Sequence, residues 1–109
     1  MIKVAISRNS DQQVTSFKMT GHAGSGQYGE DIVCAAASVL AITTVNALDE
    51  VATVHPSLTS DNANGGYLAL TMHDRNQAAE TILATFTLGM TQIAEKYAQF
   101  ITISDGHFN

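Results

Sequence analysis

Ile2, Val4 and Ile6 are apolar and Lys3, Ala5 and Ser7 stand between them, a period of two that predicts a strand buried on one face. A polar stretch from Arg8 to Gln13 follows, and a second extended run from Val14 to about Thr20 predicts the other arm of a hairpin. From Gly21 to Gly29 the pattern breaks, with Gly21, Gly24, Gly26 and Gly29 in nine positions, which predicts a mobile loop. Asp31 then stands before an apolar, Ala-rich stretch, so a helix is expected over about 32–49 with Asp31 as its N-cap. Ile32, Val33, Ala36, Val39, Leu40, Ile42 and Val45 cover more than one stripe of that helix, which implies burial on several sides or a subunit contact. Pro56 limits pairing and marks an edge strand or a bulge, Asn62 to Gly66 supplies a turn, and Leu68, Leu70 and Met72 alternate on the return. Asp74 with Gln77 resembles a capping box, and Ala79, Ile82, Leu83, Phe86, Met90, Ile93, Ala94 and Tyr97 recur at helical spacing. Ile101 and Ile103 predict a last strand before a tail from Asp105 to Asn109.

The order β-β-α-β-β-α-β predicts an α+β fold, a small mixed sheet with two helices packed on one face, in a single domain over 1–109. With 45% hydrophobic and 14% charged residues the chain is too apolar for a disordered tail. A formal charge of −5, with Lys3, Arg8, Lys18, Arg75 and Lys96 scattered, argues against nucleic acid as a direct partner. The longest nearly apolar run, Ile32 to Ile42, is short of a membrane span, and the alternating start lacks the apolar region of a signal peptide. A cytoplasmic location is the expectation. A single cysteine, Cys34, has no internal disulfide partner and stays a thiol in a reducing compartment.

Two motifs overlap at the glycine loop. Gly24-Ser25-Gly26-Gln27-Tyr28-Gly29 is a literal G-x-G-x-x-G, but Glu30 and Asp31 stand where a dinucleotide's phosphates require a positive helix end, and a P-loop requires Lys there. No nucleotide cofactor is expected. The other motif is His22 and Cys34, twelve positions apart at the two ends of the loop. A thiol becomes a nucleophile when a helix N-terminus or an imidazolium favours the thiolate, and this segment offers both. With Asp31 as cap, Cys34 is the third residue of the first turn, near unpaired amides that can hold an oxyanion. His22 is then the general base and acid. Against this stand simpler readings: a lone Cys on an Ala-rich helix is commonly a small buried hydrophobe, and a loop His is commonly solvated. Asp31 can cap the helix, orient His22, or do both; unpaired, it would raise the Cys34 pKa.

A metal site is a poorer use of these residues, because His55, His73 and His107 are widely separated and no second Cys exists. Ser38, one turn beyond Cys34, can hydrogen-bond a bound peptide or back-bond to the carbonyls near Asp31 or Cys34.

Gly21-His22-Ala23, a glycine-containing spacer ending at Gly29, and Asp31-Ile32-Val33-Cys34-Ala35-Ala36 together resemble the ribosomal-processing cysteine protease family. The likeness extends over the chain, including Asn46-Ala47-Leu48 late in the first helix. It implies a homodimeric bacterial protease that removes a short N-terminal extension from large-subunit ribosomal protein 27, with Cys34 as nucleophile and His22 as base. It also implies a small apolar groove beside the loop, since the family's extension ends in hydrophobic and aromatic residues before the cut. The glycines Gly21, Gly24, Gly26 and Gly29 would let the loop close over substrate, with Ser38 beside it. The rival is a non-catalytic, ribosome-associated adaptor of the same fold that holds a peptide. An activated Cys34 is expected to alkylate well below pH 8, an adaptor's thiol no faster than a free one.

Overall fold

The computed structural model describes residues 1–22 and 29–106, and all structural statements below concern these residues. Five strands and two helices follow one another as β1 (Ile2–Arg8), β2 (Val14–Thr20), α1 (Glu30–Glu50), β3 (Ser57–Asp61), β4 (Tyr67–Thr71), α2 (Gln77–Lys96) and β5 (Ile101–Gly106), the expected order. The sheet runs β3-β4-β2-β1-β5. β1 and β5 are parallel, and the other neighbours are antiparallel.

Alternation along the strands sets the two faces of the sheet. Ile2, Val4 and Ile6 of β1, Phe17 and Met19 of β2, Leu68 and Leu70 of β4 and Ile101 of β5 are buried beneath the helices. Lys3, Ala5, Lys18, Ala69 and Thr71 point the other way. One apolar and one open face is the usual outcome for a mainly antiparallel sheet. Phe17 of β2 stacks on Phe86 of α2 with ring centroids 4.2 Å apart, tying the second helix to the middle of the sheet. Such a pair contributes about 0.5–1.5 kcal/mol beyond its buried area. The helices meet closely at Gly89, where a Cβ would lie 2.7 Å from Leu40 Cδ2, so only glycine admits this approach without repacking.

The helix ends depart from expectation. α1 begins two residues early, its N-cap is Gly29 at φ 93°, and no side chain caps it. Asp31 is therefore not the cap; its Oδ1 accepts from the next amide, that of Ile32, at 3.0 Å. A left-handed cap position suits glycine, and that preference overrode the aspartate. At α2 the cap is Asn76, whose Oδ1 accepts from Ala79 N at 2.8 Å. Asp74 instead accepts from His55 N at 3.0 Å, so the Asp74–Gln77 capping box does not form. β5 also continues through Asp105 and Gly106, where a tail was expected. Parallel pairing with β1 carries it on, and Arg8 binds Asp105 through two hydrogen bonds of 2.6 and 2.9 Å.

β3 starts directly after Pro56 and lies at the sheet edge, as the proline predicts. All five of its residues are exposed, because the helices do not extend over it. By length and composition α1 could also cross a bilayer, although Ile32 to Ile42 alone falls short. Its Val33, Cys34, Ala37, Ala41, Thr44 and Leu48 are buried in the protein core, one continuous face at helical spacing.

Candidate active site

The site forms where β2 ends and α1 begins. Gly21 follows β2 in a left-handed conformation at φ 85°, with its backbone against Met1; a Cβ there would lie 2.4 Å from the Met1 carbonyl oxygen. This contact fixes the path of the chain into His22. From the other side α1 presents Cys34 and, one turn later, Ser38. The Cys34 thiol donates to the Gly21 carbonyl with Sγ 3.8 Å from the oxygen, and Ser38 Oγ donates to the His22 carbonyl at 3.4 Å. Two helix positions four residues apart share one face, so they hold two consecutive carbonyls of the chain leaving β2.

His22 and Cys34 are both buried, at 9% and 6% exposure. Burial is therefore common to the pair, and the solvated-histidine reading of His22 does not hold. No hydrogen bond joins the two side chains among the described residues, and His22 Nδ1 is buried without a partner. A buried polar nitrogen left open is unusual and costly, and such groups concentrate where a ligand or reacting group will supply the partner.

The electrostatics correct the expectation of an activated thiol. Cys34 is pushed above its ordinary value, chiefly by burial, then by Glu30, with a smaller contribution from Asp31 that the N-terminal ammonium opposes. His22 is pushed below its ordinary value by burial. Both groups are neutral at rest around pH 7, consistent with a thiol that donates to a carbonyl, since a thiolate has no proton to give. The helix N-terminus does not reverse this. With Gly29 as cap, Cys34 is the fifth helical residue and lies beyond the first turn of unpaired amides. The first turn itself carries Glu30 and Asp31, with Glu30 2.8 Å from the Met1 ammonium.

A cleft of about 570 Å³ opens from this point between α1 and the uncovered edge of the sheet. His22 and Ser38 line it together with Ile42 and Val45 of α1, Leu58 of β3 and Leu68 of β4. Such a groove was implied beside the loop, but its walls come from segments far apart in sequence.

These features coincide with a known family. The family model for the cysteine protease Prp matches residues 1–102. The chain belongs to that family. The ribosomal processing cysteine protease Prp of Staphylococcus aureus is 35% identical over 104 residues, covering 95% of this chain and 98% of the relative. A crystal structure of the S. aureus protease in complex with a substrate peptide superposes with a TM-score of 0.89 at 35% identity, covering 96% of this chain and 99% of that one. A second, with a covalently linked product peptide, gives 0.85 at 37% identity over the same shares. Family membership makes this chain a cysteine protease and removes the adaptor alternative.

Cys34 is the one cysteine the protease has. Of the other expected site residues, Gly21 accepts from its thiol, Ser38 lies one turn further along α1 and Gly29 caps that helix, whereas Gly24 and Gly26 lie outside the described residues. Asp31 is exposed and makes no hydrogen bond to His22, so the orienting role finds no contact in this arrangement. Ser38 follows neither expected back-bond; its donor goes to His22. His55 and His73 are far along the chain from the site, His73 Nε2 lying 2.5 Å from Ser57 Oγ, and His107 is outside the described residues. The described residues contain no group of three potential metal ligands.

Proposed function

We propose that this protease removes the short N-terminal extension of large-subunit ribosomal protein 27 during ribosome maturation, with Cys34 as nucleophile and His22 as general base and acid, in the cytoplasm and as a homodimer. The observation that carries the catalytic part is the double grip of α1 on residues 21 and 22, which holds the Cys34 sulfur beside the backbone from which His22 projects. The S. aureus relative, named a ribosomal processing protease, supports the choice of substrate.

The chemistry follows from two neutral groups. As a peptide enters, His22 takes the Cys34 proton and the sulfur attacks the scissile carbonyl carbon, forming a C–S bond. The protonated ring then donates that proton to the departing amine as the C–N bond breaks, leaving a thioester. Water attacks the thioester, gives its proton to His22, and the thiol is regenerated with release of the carboxylic acid. The open Nδ1 of His22 is a place for the incoming proton or for a substrate group that orients the ring. A resting thiol held protonated also limits reaction with other proteins before a substrate is bound.

The homodimer is supported by α1. Ile32 and Val39, two turns apart on its outer face, are 64% and 65% exposed, and Ala35 and Ala36 lie between them. Small residues flanked by two β-branched ones make a surface against which a second copy can pack closely.

Incubating the protein with its organism's ribosomal protein 27 precursor and weighing the products tests the substrate. Loss of the N-terminal extension alone is expected; an uncut precursor would contradict the proposal.

A further inference from the structure

We infer that the open face of the sheet, on the side away from the cleft, binds single-stranded RNA through Lys3, Lys18 and Tyr67. The inference stands on this face and does not depend on the roles of Cys34 and His22 or on the substrate.

Sheet register fixes the neighbours. Thr20 of β2 sits opposite Lys3 of β1 on one side and Tyr67 of β4 on the other, and Lys18 sits opposite Ala5 and Ala69. Lys3 and Lys18, far apart in the chain, are therefore diagonal neighbours on one face, with about 7–8 Å between their backbones. The scatter of cations along the sequence, which argues against nucleic acid, gives way on the sheet to this pair. The two alanines leave shallow hollows beside Lys18, of about 470 and 380 Å³. The smaller is lined by both lysines together with Thr20, Thr102 and Ser104, which brings ammonium groups and hydroxyls around one hollow without a carboxylate.

The chain has ten acidic side chains for five cationic ones, yet these two lysines have no acid beside them. Arg8 holds Asp105, Arg75 holds Glu80 and Lys96 lies over the Tyr97 ring, whereas neither Lys3 nor Lys18 forms an ion pair among the described residues. Asp105 of β5 sits opposite the buried Ile6 and so belongs to the other side of the sheet. Asp61, opposite Tyr67 on the edge strand β3, shares the open face but lies three strand spacings from Lys3. That is about 14 Å, beyond the screening length at physiological salt. Neighbouring like charges without an acid destabilise a sheet, and an anionic ligand offsets that cost.

The rest of the face selects the anion. A second copy packed on it about a two-fold axis would set Lys18, midway along the central strand, against another positive centre. An anionic bilayer gains little from two lysines set among Ala, Ser and Thr with no large aliphatic side chain to insert. RNA uses what is left. Tyr67 is 38% exposed and diagonal to Lys18, so a base stacked on its ring carries its phosphate toward the lysines, where hydroxyls meet the backbone oxygens. The cleft opens on the helix side, so RNA and peptide can be held at once.

The test follows the fluorescence anisotropy of a labelled single-stranded RNA of about 12 nucleotides, within the usual range of site sizes. Wild type is expected to bind at low salt, with log affinity falling against log salt at a slope of about −1.4, the value for two neutralised phosphates. The double variant Lys3→Ala, Lys18→Ala should bind about tenfold or more weakly with a slope near zero, and Tyr67→Ala about fivefold more weakly. Lys96→Glu changes the net charge by the same amount as the double variant but lies at the end of α2, and should bind as wild type does. All these positions are exposed, and thermal melting checks that each variant folds. Absence of binding, undiminished affinity in the double variant, or an equal loss in Lys96→Glu would overturn the inference. So would lysine-dependent binding to phosphatidylglycerol vesicles with RNA left unbound.

Discussion

Cys34 donates its thiol hydrogen to the carbonyl of Gly21, the residue that precedes His22, at 3.8 Å. The nucleophile candidate is thus tied to the backbone of its proposed base and not to the ring. A protonated sulfur, a neutral imidazole and an open Nδ1 form a resting state that substrate must convert.

That state has a direct chemical signature. Because burial and Glu30 push the Cys34 thiol above its ordinary value of 9.0, alkylation of the free protein by iodoacetamide should be slow at pH 7 and still rising with pH at pH 9. A reactive thiolate at pH 6–7 in the free protein would contradict the neutral pair.

Asp31 adds to the elevation without capping α1. Asp31→Asn should therefore lower the Cys34 pKa and speed alkylation at pH 8, and change stability by less than about 0.5 kcal/mol, as usual for an exposed site without a special role. Thermal melting and a pH series of alkylation rates check both parts. An alkylation rate at pH 8 no faster than that of wild type would contradict the electrostatic role of Asp31.

Gly21→Ala combines a left-handed backbone with a Cβ 2.4 Å from the Met1 carbonyl oxygen. A destabilisation of about 1–3 kcal/mol is expected, together with a marked loss of cleavage, since the displaced residue precedes His22. Denaturant unfolding and peptide hydrolysis measured on the same preparation test it. Wild-type stability would show that the turn relaxes freely.

The acid side of the stability curve follows from His22. Burial lowers its folded-state pKa below the ordinary 6.5, so the unfolded chain binds the proton first. Its contribution is intact above about pH 6.5 and is lost as pH falls through the lower, folded-state value. His22→Gln should therefore flatten the fall in melting temperature between about pH 6.5 and pH 5. An unchanged slope in that variant would show that other groups govern this range.

The strands and α2 were legible because local pattern and tertiary role agree in them. Ile2, Val4 and Ile6 alternate and are buried, and Ala79, Leu83, Phe86 and Met90 recur at helical spacing and form the inner face of α2. The closeness of α1 at Cys34 and Ser38 to the chain at Gly21 and His22 accords with the two motif blocks. The helix caps were not legible, since an aspartate and a glycine compete at the start of α1 and the backbone conformation at Gly29 decides between them. The state of the thiol was hidden for a related reason: it depends on burial and on a helix start two residues earlier, which leaves Cys34 in the second turn. The cleft was hidden because its apolar lining, Ile42 and Val45 of α1, Leu58 of β3 and Leu68 of β4, comes from segments far apart in the sequence.

The central claim is that Cys34 forms the bond to substrate. The most direct test is intact-mass analysis of the protein quenched with acid during turnover of the ribosomal protein 27 precursor, followed by peptide mapping. The account predicts a fraction of the protein heavier by the mass of the acyl fragment, with the added mass on Cys34, and neither adduct nor cleavage in Cys34→Ala, which should melt within a few degrees of wild type. Cleavage by Cys34→Ala, or an acyl group mapped to another residue, would contradict it.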